Sequence, residues 1–418
     1  MQPRSNNISP HVYLLATFTT AVATLLIYYR AGFENQWFLL PLLALASLYA
    51  AVNFFRQLRG NSRFSVLKNV NWLQLLKKAL ARYLVWLVVI YAGAQLYHHL
   101  PFYSEQRFQA NFMFFDQLLK AYLFVGLPYF LITLWLKASR QEDFYDPAIR
   151  LLHIVKQLGT GLVKEENTKS AYLVLRNKYN RKVLLNLGMR AYFIPIMVIQ
   201  VLSGTLSNLE MINRLGNDLY ILNFLVFVTT FLWLMDVINA TLGYCLESRW
   251  LENRSRSIDM TFTGWLVCFC CYEPLNQATG YMFPFAPFVA THNPQDLIVA
   301  NMNFLIAFKV VEIVVLCGHI YSDVSLGPSI VNITLKKLQT RGPYALVRHP
   351  GTTTKLLYWL SQSIVYKQFW TLKIIYGYVM WAMLYVARAL TEERHLKKYP
   401  EYRDYMRKVK YRFFPWLF

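Results

Sequence analysis

Long apolar segments separated by polar stretches run along most of the chain. Ten are apparent, at residues 12–29, 37–54, 80–97, 117–136, 187–205, 219–245, 263–283, 299–320, 352–366 and 369–390. Most approach the roughly 20 residues that a helix needs to cross a hydrocarbon layer. The pattern predicts an all-α, polytopic integral membrane protein with about ten transmembrane helices. Because 263–283 contains Glu273-Pro274 and 352–366 is short, eight or nine crossings is the alternative count.

The composition excludes an ordinary soluble enzyme. Of the 418 residues, 56% are hydrophobic and 17% are aromatic, and the mean hydropathy is positive at +0.28. A chain so rich in apolar residues is typical of a membrane protein. The net charge of +21 nevertheless shows that cations are abundant outside the apolar segments.

These cations are unevenly distributed between the two sides of the predicted membrane protein. Lysines and arginines cluster after the second and fourth apolar segments, whereas the alternate connections have one cation or none. By the positive-inside bias, both termini and the C-terminal tail are expected to be cytoplasmic, in a bacterial inner membrane or the endoplasmic reticulum. The basic stretch 137–186 is expected to form surface helices at 147–162 and 171–185. Topology and attraction to anionic lipid explain the charge, so no nucleic-acid partner is expected.

A few reactive or charged side chains lie within the apolar segments. Lys309 and Glu312 are three residues apart, share a helix face and are predicted to pair. Asp236 and Glu273 are either polar contacts between helices or the coupling residues of a transporter. Histidine is absent at ligand spacing from the cysteine cluster, so the thiols are interpreted as buried and inert and no metal is expected in this protein. The cysteines are Cys245, Cys268, Cys270, Cys271 and Cys317.

Two polar clusters flank the last pair of apolar segments. Residues 341–350 read Arg-Gly-Pro-Tyr-Ala-Leu-Val-Arg-His-Pro, and about forty residues later come Arg388, Glu392 and Glu393. A helical hairpin returns the chain to the side on which it began, so the two clusters are expected together at one membrane face. Pro350 suits the first turn of a helix, where free backbone amides favour an anionic group. Charges at a lipid boundary are costly, which indicates a function.

Four short motifs follow one another in residues 300–418. They are Gly342-Pro343-Tyr344, Val347-Arg348-His349-Pro350, Arg388 with Glu392-Glu393 and Leu396, and the tail residues Tyr402, Tyr405 and Val409. Together they resemble the isoprenylcysteine carboxyl methyltransferase and phospholipid methyltransferase superfamily. Residues 351–355 depart from the family pattern, which usually has an aromatic residue two positions after the proline.

The resemblance implies an integral membrane enzyme that uses S-adenosylmethionine to methylate a lipid or prenylated acceptor. It implies that Arg348 and Arg388 are catalytic, because they orient or neutralise an acceptor carboxylate. An amine or hydroxyl acceptor would instead need a base, for example His349 or Glu392. The cofactor-binding residues that the resemblance implies are Tyr344, Val347, His349, Pro350, Glu392 and Glu393.

Two other classes fit parts of the sequence. Residues 411–415, Tyr-Arg-Phe-Phe-Pro, resemble the C-terminus of the sterol reductase family, whose members use a nicotinamide cofactor. The intramembrane charges keep a transporter as the other alternative. We therefore divide the chain into residues 1–250, an N-terminal transmembrane region of unassigned role, and 251–418, a methyltransferase-like catalytic region. Arg348 and Arg388 are both expected to face one groove beside segment 263–283.

The charge asymmetry makes a testable prediction about topology. A cysteine introduced at position 418 should react with a membrane-impermeant thiol reagent only after intact cells are permeabilised, because the tail is cytoplasmic. The chain without that cysteine gives the background from its own thiols. Clear labelling from outside intact cells would contradict the topology.

Overall fold

The computed structural model describes residues 9–31, 40–59, 71–105, 108–137, 147–163, 167–216, 220–248, 251–285 and 294–417. Helices dominate these residues, and one two-stranded sheet accompanies them, so the predicted all-α class is confirmed. The helices are α1 (Pro10–Ala31), α2 (Leu40–Arg59), α3 (Trp72–His99), α4 (Gln109–Lys137), α5 (Pro147–Val163), α6 (Asn167–Arg176), α7 (Lys178–Arg214), α8 (Tyr220–Cys245), α9 (Phe262–Phe269), α10 (Leu275–Met282), α11 (Met302–Val324), α12 (Pro350–Ser363), α13 (Leu372–Leu396) and α14 (Pro400–Lys408). Strand β1 (Ser257–Ile258) pairs antiparallel with β2 (Thr334–Leu335).

Seven of the described helices are long and apolar enough to cross a membrane: α1, α3, α4, α7, α8, α11 and α13. The polytopic membrane class is therefore confirmed, and seven of the about ten predicted crossings are found among the described residues. Three predicted segments account for the difference. Segment 37–54 begins outside the described residues, segment 263–283 is divided into α9 and α10, and α12 has 14 residues.

The division of segment 263–283 follows from its sequence. Thr261 caps α9, since its hydroxyl accepts a hydrogen bond from the amide of Gly264 at 3.3 Å. Helix α9 ends at Phe269 and α10 begins directly after Pro274. Proline has no amide hydrogen and its ring clashes with the preceding turn, so Pro274 favours a break in the helix at this position.

The predicted hairpin is present as α12 and α13. The hydroxyl of Tyr378 on α13 donates to the carbonyl of Leu356 on α12 at 3.0 Å. Further along α13, Glu393 contacts Arg348, which lies just before α12. From Tyr378 to Glu393 the residue number rises along α13, while that of the contacted residue falls from 356 to 348. The chain therefore runs in opposite directions in the two arms. The predicted meeting of the two polar clusters is therefore confirmed for this pair.

The chain forms two compact units, and the smaller contains Gln36–Leu39 and Ala51–Ile199. Within it α3 packs along α4, where the rings of Tyr83 and Tyr122 stack with centroids 5.4 Å apart. Helix α5 confirms the helix predicted at 147–162. The second predicted helix, 171–185, is interrupted at Asn177, whose side chain accepts from the amide of Tyr179 at 3.0 Å and so starts α7.

The larger unit contains Met1–Asn35, Leu40–Ala50 and Gln200–Phe418. A buried hydrogen-bond chain joins its elements: the hydroxyl of Tyr49 donates to Asn239, whose amide donates to the carbonyl of Gly327 at 3.0 Å. Gly327 has a φ of +54°, and a Cβ there would meet the ring of Tyr13. Glycine is therefore required at this turn after α11, both for its backbone conformation and for space.

A buried ion pair within α11 confirms the pairing predicted for Lys309 and Glu312. The ammonium lies 2.8 Å and 3.1 Å from the two carboxylate oxygens, and both side chains are more than nine-tenths buried. The amide of Gln362 on α12 donates to the same carboxylate at 3.1 Å and to the hydroxyl of Tyr358 at 2.7 Å. The pair thus holds α11 against α12, which is the structural alternative to ion coupling.

We predict that Lys309→Met lowers the free energy of unfolding by about 3 kcal/mol, because it leaves the Glu312 carboxylate buried without its cation. Adding Glu312→Gln should recover most of that loss, since no charge then remains and Gln362 keeps its acceptor. Thermal unfolding of the detergent-solubilised variants measures both effects. Equal stability of the single and double variants would contradict the assignment.

Candidate functional site

Glu393, in the last turns of α13, is the centre of a buried ionic cluster. Its side chain is 1% exposed. One carboxylate oxygen accepts from Arg348 Nε at 2.7 Å and lies 3.4 Å from His349 Nε2. The other accepts from Arg412 Nε at 3.2 Å and lies 3.5 Å from Lys397 Nζ. The carboxylate is therefore surrounded by cationic donors, which compensate for the loss of its hydration.

The rest of the Arg348 guanidinium binds the C-terminal tail. Its Nη1 donates to the carbonyls of Val409 at 2.9 Å and Lys410 at 2.6 Å. The backbone continues this pairing, because the amides of Arg348 and His349 donate to the carbonyls of Tyr411 at 3.0 Å and Arg412 at 2.9 Å. Residues 409–412 therefore lie along residues 348–349, and Arg348 has its hydrogen bonds satisfied within the protein.

Helix α14 places this tail. Leu335, Leu396, Tyr402, Tyr405 and Val409 form a buried hydrophobic cluster. The hydroxyl of Tyr405 donates to the carbonyl of Tyr344 at 2.6 Å, which ties α14 to the Gly-Pro-Tyr turn. Burial raises the pKa of both Tyr402 and Tyr405 well above the usual tyrosine value, so both remain neutral donors. The two tyrosines and the valine of the tail motif therefore pack in this cluster and hold the tail against Arg348.

Arg388 lies on a different side of α13 from Glu393, the residue that binds Arg348. Successive residues turn by about 100° in a helix, so Glu393, five positions on, is displaced by about 140° from Arg388. Arg348 binds Glu393, and the expectation that both arginines face one groove stays a prediction. Glu392, four positions on, is displaced by only about 40° and shares the face of Arg388.

Arg388 is positioned by polar and aromatic side chains from three segments. Its guanidinium donates to the amide oxygen of Asn332. The Asn332 amide nitrogen donates in turn to the hydroxyls of Tyr244 at 2.7 Å and Tyr272 at 3.0 Å. The guanidinium carbon lies 5.5 Å from the ring centroid of Tyr272 and 5.7 Å from that of Tyr385. These contacts fix a half-buried cation that has no carboxylate hydrogen-bonded to it among the described residues.

Lys355 is a second half-buried cation, and the sequence reasoning missed it. Its ammonium lies 5.5 Å from the ring centroids of Trp233 and Tyr385 and 5.7 Å from that of Trp359. A single lysine in the apolar helix α12, five residues after Pro350, was the signal that could have revealed it. The aromatic surfaces here accommodate positive charge, which is also what a sulfonium would need.

Three potential ligands lie close to these cations: Asp236 on α8, and His319 and Asp323 on α11. The sequence reasoning singled out Asp236 alone. His319 and Asp323 are four residues apart and share a helix face, which was the signal available for them. Both aspartates are partly exposed and the histidine is buried. With Lys355 and Arg388 they form the polar cluster, a name that we keep for these five residues.

Tyr344 and Glu392 complete this side of the site. Glu392 is exposed, unlike its buried neighbour Glu393. Burial and the nearby carboxylates of Asp323 and Glu392 raise the pKa of Tyr344 well above the usual tyrosine value, so its hydroxyl stays protonated. Val347 is buried, and Pro350 begins α12 with His349 as the preceding residue. Six of the eight predicted site residues therefore divide into a tail group, Arg348, His349 and Glu393, and a second group, Arg388 of the polar cluster with Tyr344 and Glu392.

The two adjacent glutamates should respond differently to the same substitution. We predict that Glu393→Gln lowers the free energy of unfolding by about 3 kcal/mol, because the buried Arg348 loses its anion. Glu392→Gln, on an exposed side chain, is the matched control and should leave thermal unfolding unchanged. Limited proteolysis should also release the tail in Glu393→Gln alone. Identical unfolding curves for the two variants would contradict the assigned contacts.

Comparison with known proteins locates the similarity in the C-terminal region. A family model described as phospholipid methyltransferase matches residues 297–402, a segment that begins just before α11 and ends within α14. No curated protein and no solved structure matches the chain. The C-terminal region is therefore similar to the phospholipid methyltransferase family, and the resemblance predicted from its motifs is confirmed.

Proposed function

We propose that this protein transfers the methyl group of S-adenosylmethionine to a lipid or prenylated acceptor at the cytoplasmic face of its membrane. The observation that carries the proposal is the family match over residues 297–402, which supports a membrane methyltransferase acting on lipid-type substrates. That segment contains Arg348, Arg388, Glu392 and Glu393. In functional terms the catalytic region remains residues 251–418, and residues 1–250 are a transmembrane region without an assigned role.

The cofactor would bind beside Tyr344 and Glu392. The exposed carboxylate of Glu392 suits the ammonium or ribose hydroxyls of S-adenosylmethionine, and the protonated Tyr344 can donate a hydrogen bond. The aromatic rings around Lys355 and Arg388 suit a third cationic group. When bound, this cofactor supplies a methyl group on a positively charged sulfur, which is a good leaving group. The protein then has to align the acceptor and exclude water.

Arg388 is the residue that we place beside the acceptor. Its guanidinium is held by Asn332 and by two aromatic rings, and it is free of a carboxylate hydrogen bond among the described residues. A fixed cation of this kind would orient a carboxylate or phosphate of the acceptor. Arg348 has a different role in this proposal. It positions His349 and the tail, because its donors are already bound to Glu393 and to backbone carbonyls.

His349, Val347 and Pro350 are proposed to shape the cofactor site through the backbone. They form the turn that begins α12, and the tail holds this turn through the amide of His349. Glu393 contributes by fixing Arg348 and is not proposed to touch the cofactor. These different roles of the two glutamates predict that cofactor affinity depends directly on Glu392. It should depend on Glu393 only through the stability of the tail.

The acceptor would reach the site from the lipid. Tyr376, Val379, Met383 and Leu390 are exposed on α13 at helical spacing and make an apolar stripe suited to hydrocarbon. The basic residues of the tail favour a cytoplasmic location for the site and for both termini. A bacterial inner membrane or the endoplasmic reticulum provides such a surface.

Binding measurements test the function directly. We expect the purified, detergent-solubilised chain to bind S-adenosylmethionine in calorimetry and to transfer a tritiated methyl group to a total lipid extract. Glu392→Gln should weaken cofactor binding by about 2 kcal/mol, because one charged hydrogen bond is lost. Glu210→Gln, at an exposed glutamate paired with Arg214 on α7, is the control and should bind like the unmodified chain.

Two outcomes would contradict the proposal. The first is the absence of S-adenosylmethionine binding to folded protein. The second is binding of a reduced nicotinamide in its place, which would favour the sterol-reductase-like alternative. Equal cofactor affinity in Glu392→Gln and Glu210→Gln would remove Glu392 from the site without rejecting the methyltransferase function.

A further inference from the structure

Three lone-pair donors from two helices converge beside the cations of the polar cluster. Asp236 on α8 and His319 and Asp323 on α11 each contribute one atom, and these atoms all lie within 4.8 Å of one another. His319 Nε2 lies 3.8 Å from Asp323 Oδ2, which exceeds a hydrogen-bond distance. The spacing is close to that of ligands around one small cation, whose bonds to nitrogen and oxygen are about 2.0–2.2 Å long.

His319 is oriented by the N-terminal turn of α12. Its Nδ1 lies 3.4 Å from the hydroxyl oxygen of Thr354. The Thr354 hydroxyl donates its hydrogen to the carbonyl of Pro350 at 2.8 Å, so toward His319 it can only accept. We therefore assign the ring hydrogen to Nδ1, which leaves a lone pair on Nε2.

That lone pair is buried and has no hydrogen-bond donor. His319 is 2% exposed, and its Nε2 has no partner in the structure. Asp236 Oδ1 is likewise buried without a partner. A histidine lone pair aimed at two carboxylates is electrostatically unfavourable unless a positive charge lies between them. Two independent unpartnered atoms thus point to a ligand at the same place.

Lys355 does not provide that charge by direct contact. Its ammonium lies over the rings of Trp233, Trp359 and Tyr385, and within the described residues no ion pair of 4.0 Å or less joins it to either aspartate. The space between the three ligand atoms therefore suits a small cation from solution.

We propose that Asp236, His319 and Asp323 bind one divalent first-row transition-metal ion, of the class of Mn²⁺ or Zn²⁺. Two carboxylate oxygens and one imidazole nitrogen are a donor set that such ions accept. The Nδ1–H of His319 directed at Thr354 is an outer contact of the kind that orients most metal-binding histidines. The sequence expectation of no metal considered only the cysteines, and none of these is among the three proposed ligands.

The site has consequences for the surrounding structure. Three protein ligands leave coordination positions free for an oxygen of a further ligand, as in catalytic metal sites. Asp236 belongs to α8, outside the family-matched segment 297–402, so the ion would join α8 to that segment. The metal site does not depend on the proposed methyl transfer, and its binding can be measured without turnover.

The test uses the full detergent-purified chain, stripped with a chelator and re-equilibrated with Mn²⁺ or Zn²⁺ separately. We expect about one ion per chain by elemental mass spectrometry, a changed Mn²⁺ electron paramagnetic resonance spectrum and a higher melting temperature with metal. Asp323→Asn and His319→Gln should each weaken binding at least about tenfold. Asp404→Asn, at an exposed aspartate on α14, should bind like the unmodified chain.

A further variant keeps all three ligands and changes only their support. A Cβ at Gly351 would lie 2.5 Å from Asp323 Oδ1 and would displace this carboxylate. Gly351→Ala should therefore also weaken metal binding at least about tenfold if the chain stays folded. Substoichiometric metal in the folded, unmodified chain, or unchanged affinity in folded Asp323→Asn, would overturn the proposal. S-adenosylmethionine binding is measured on the same samples, so that a failure of metal binding can be distinguished from a failure of the proposed methyltransferase function.

Discussion

The C-terminal region depends on keeping one carboxylate, that of Glu393, charged in a buried position. A carboxylate removed from water is tolerated only when donors replace its hydration. Arg348 and Arg412 provide hydrogen bonds, and the ammonium of Lys397 adds positive charge at 3.5 Å. These partners come from the turn before α12, from α13 itself and from the tail. Satisfying this one group therefore fixes three separate parts of the chain at once.

Glu393, which holds the tail, and the pair Glu392 and Arg388 lie on different faces of α13. Glu393 faces the tail, whereas Glu392 lies on the same face of α13 as Arg388, a member of the polar cluster. Helix positions four apart align, and positions five apart do not. Two adjacent residues of the same type thus serve different purposes. One holds the scaffold in place and is buried, while the other is exposed and available to a ligand. A buried and an exposed carboxylate at neighbouring positions would be indistinguishable by composition.

Much of the architecture follows from local rules that the sequence displays. Apolar length identified the membrane helices, spacing of three identified the pair Lys309–Glu312, and a hairpin brought Arg348 to Glu393. The break at Pro274 was visible as a bend but not as two separate helices. The contacts that could not be predicted from the sequence are those between residues remote in the chain, such as the tail beside Arg348 and Asp236 beside His319. No periodicity encodes them, because they depend on how α8 and the tail pack.

The backbone pairing of residues 409–412 with 348–349 also sets an order of assembly. Helices α12 and α13 precede the tail in the chain, so a ribosome completes both before it makes Arg412. Until the tail arrives, Glu393 lacks one of its two arginine partners and Arg348 lacks two carbonyl acceptors. The contacts of Glu393 and Arg348 with the tail therefore form last, after the helices that carry the other residues of the ionic cluster have been synthesised.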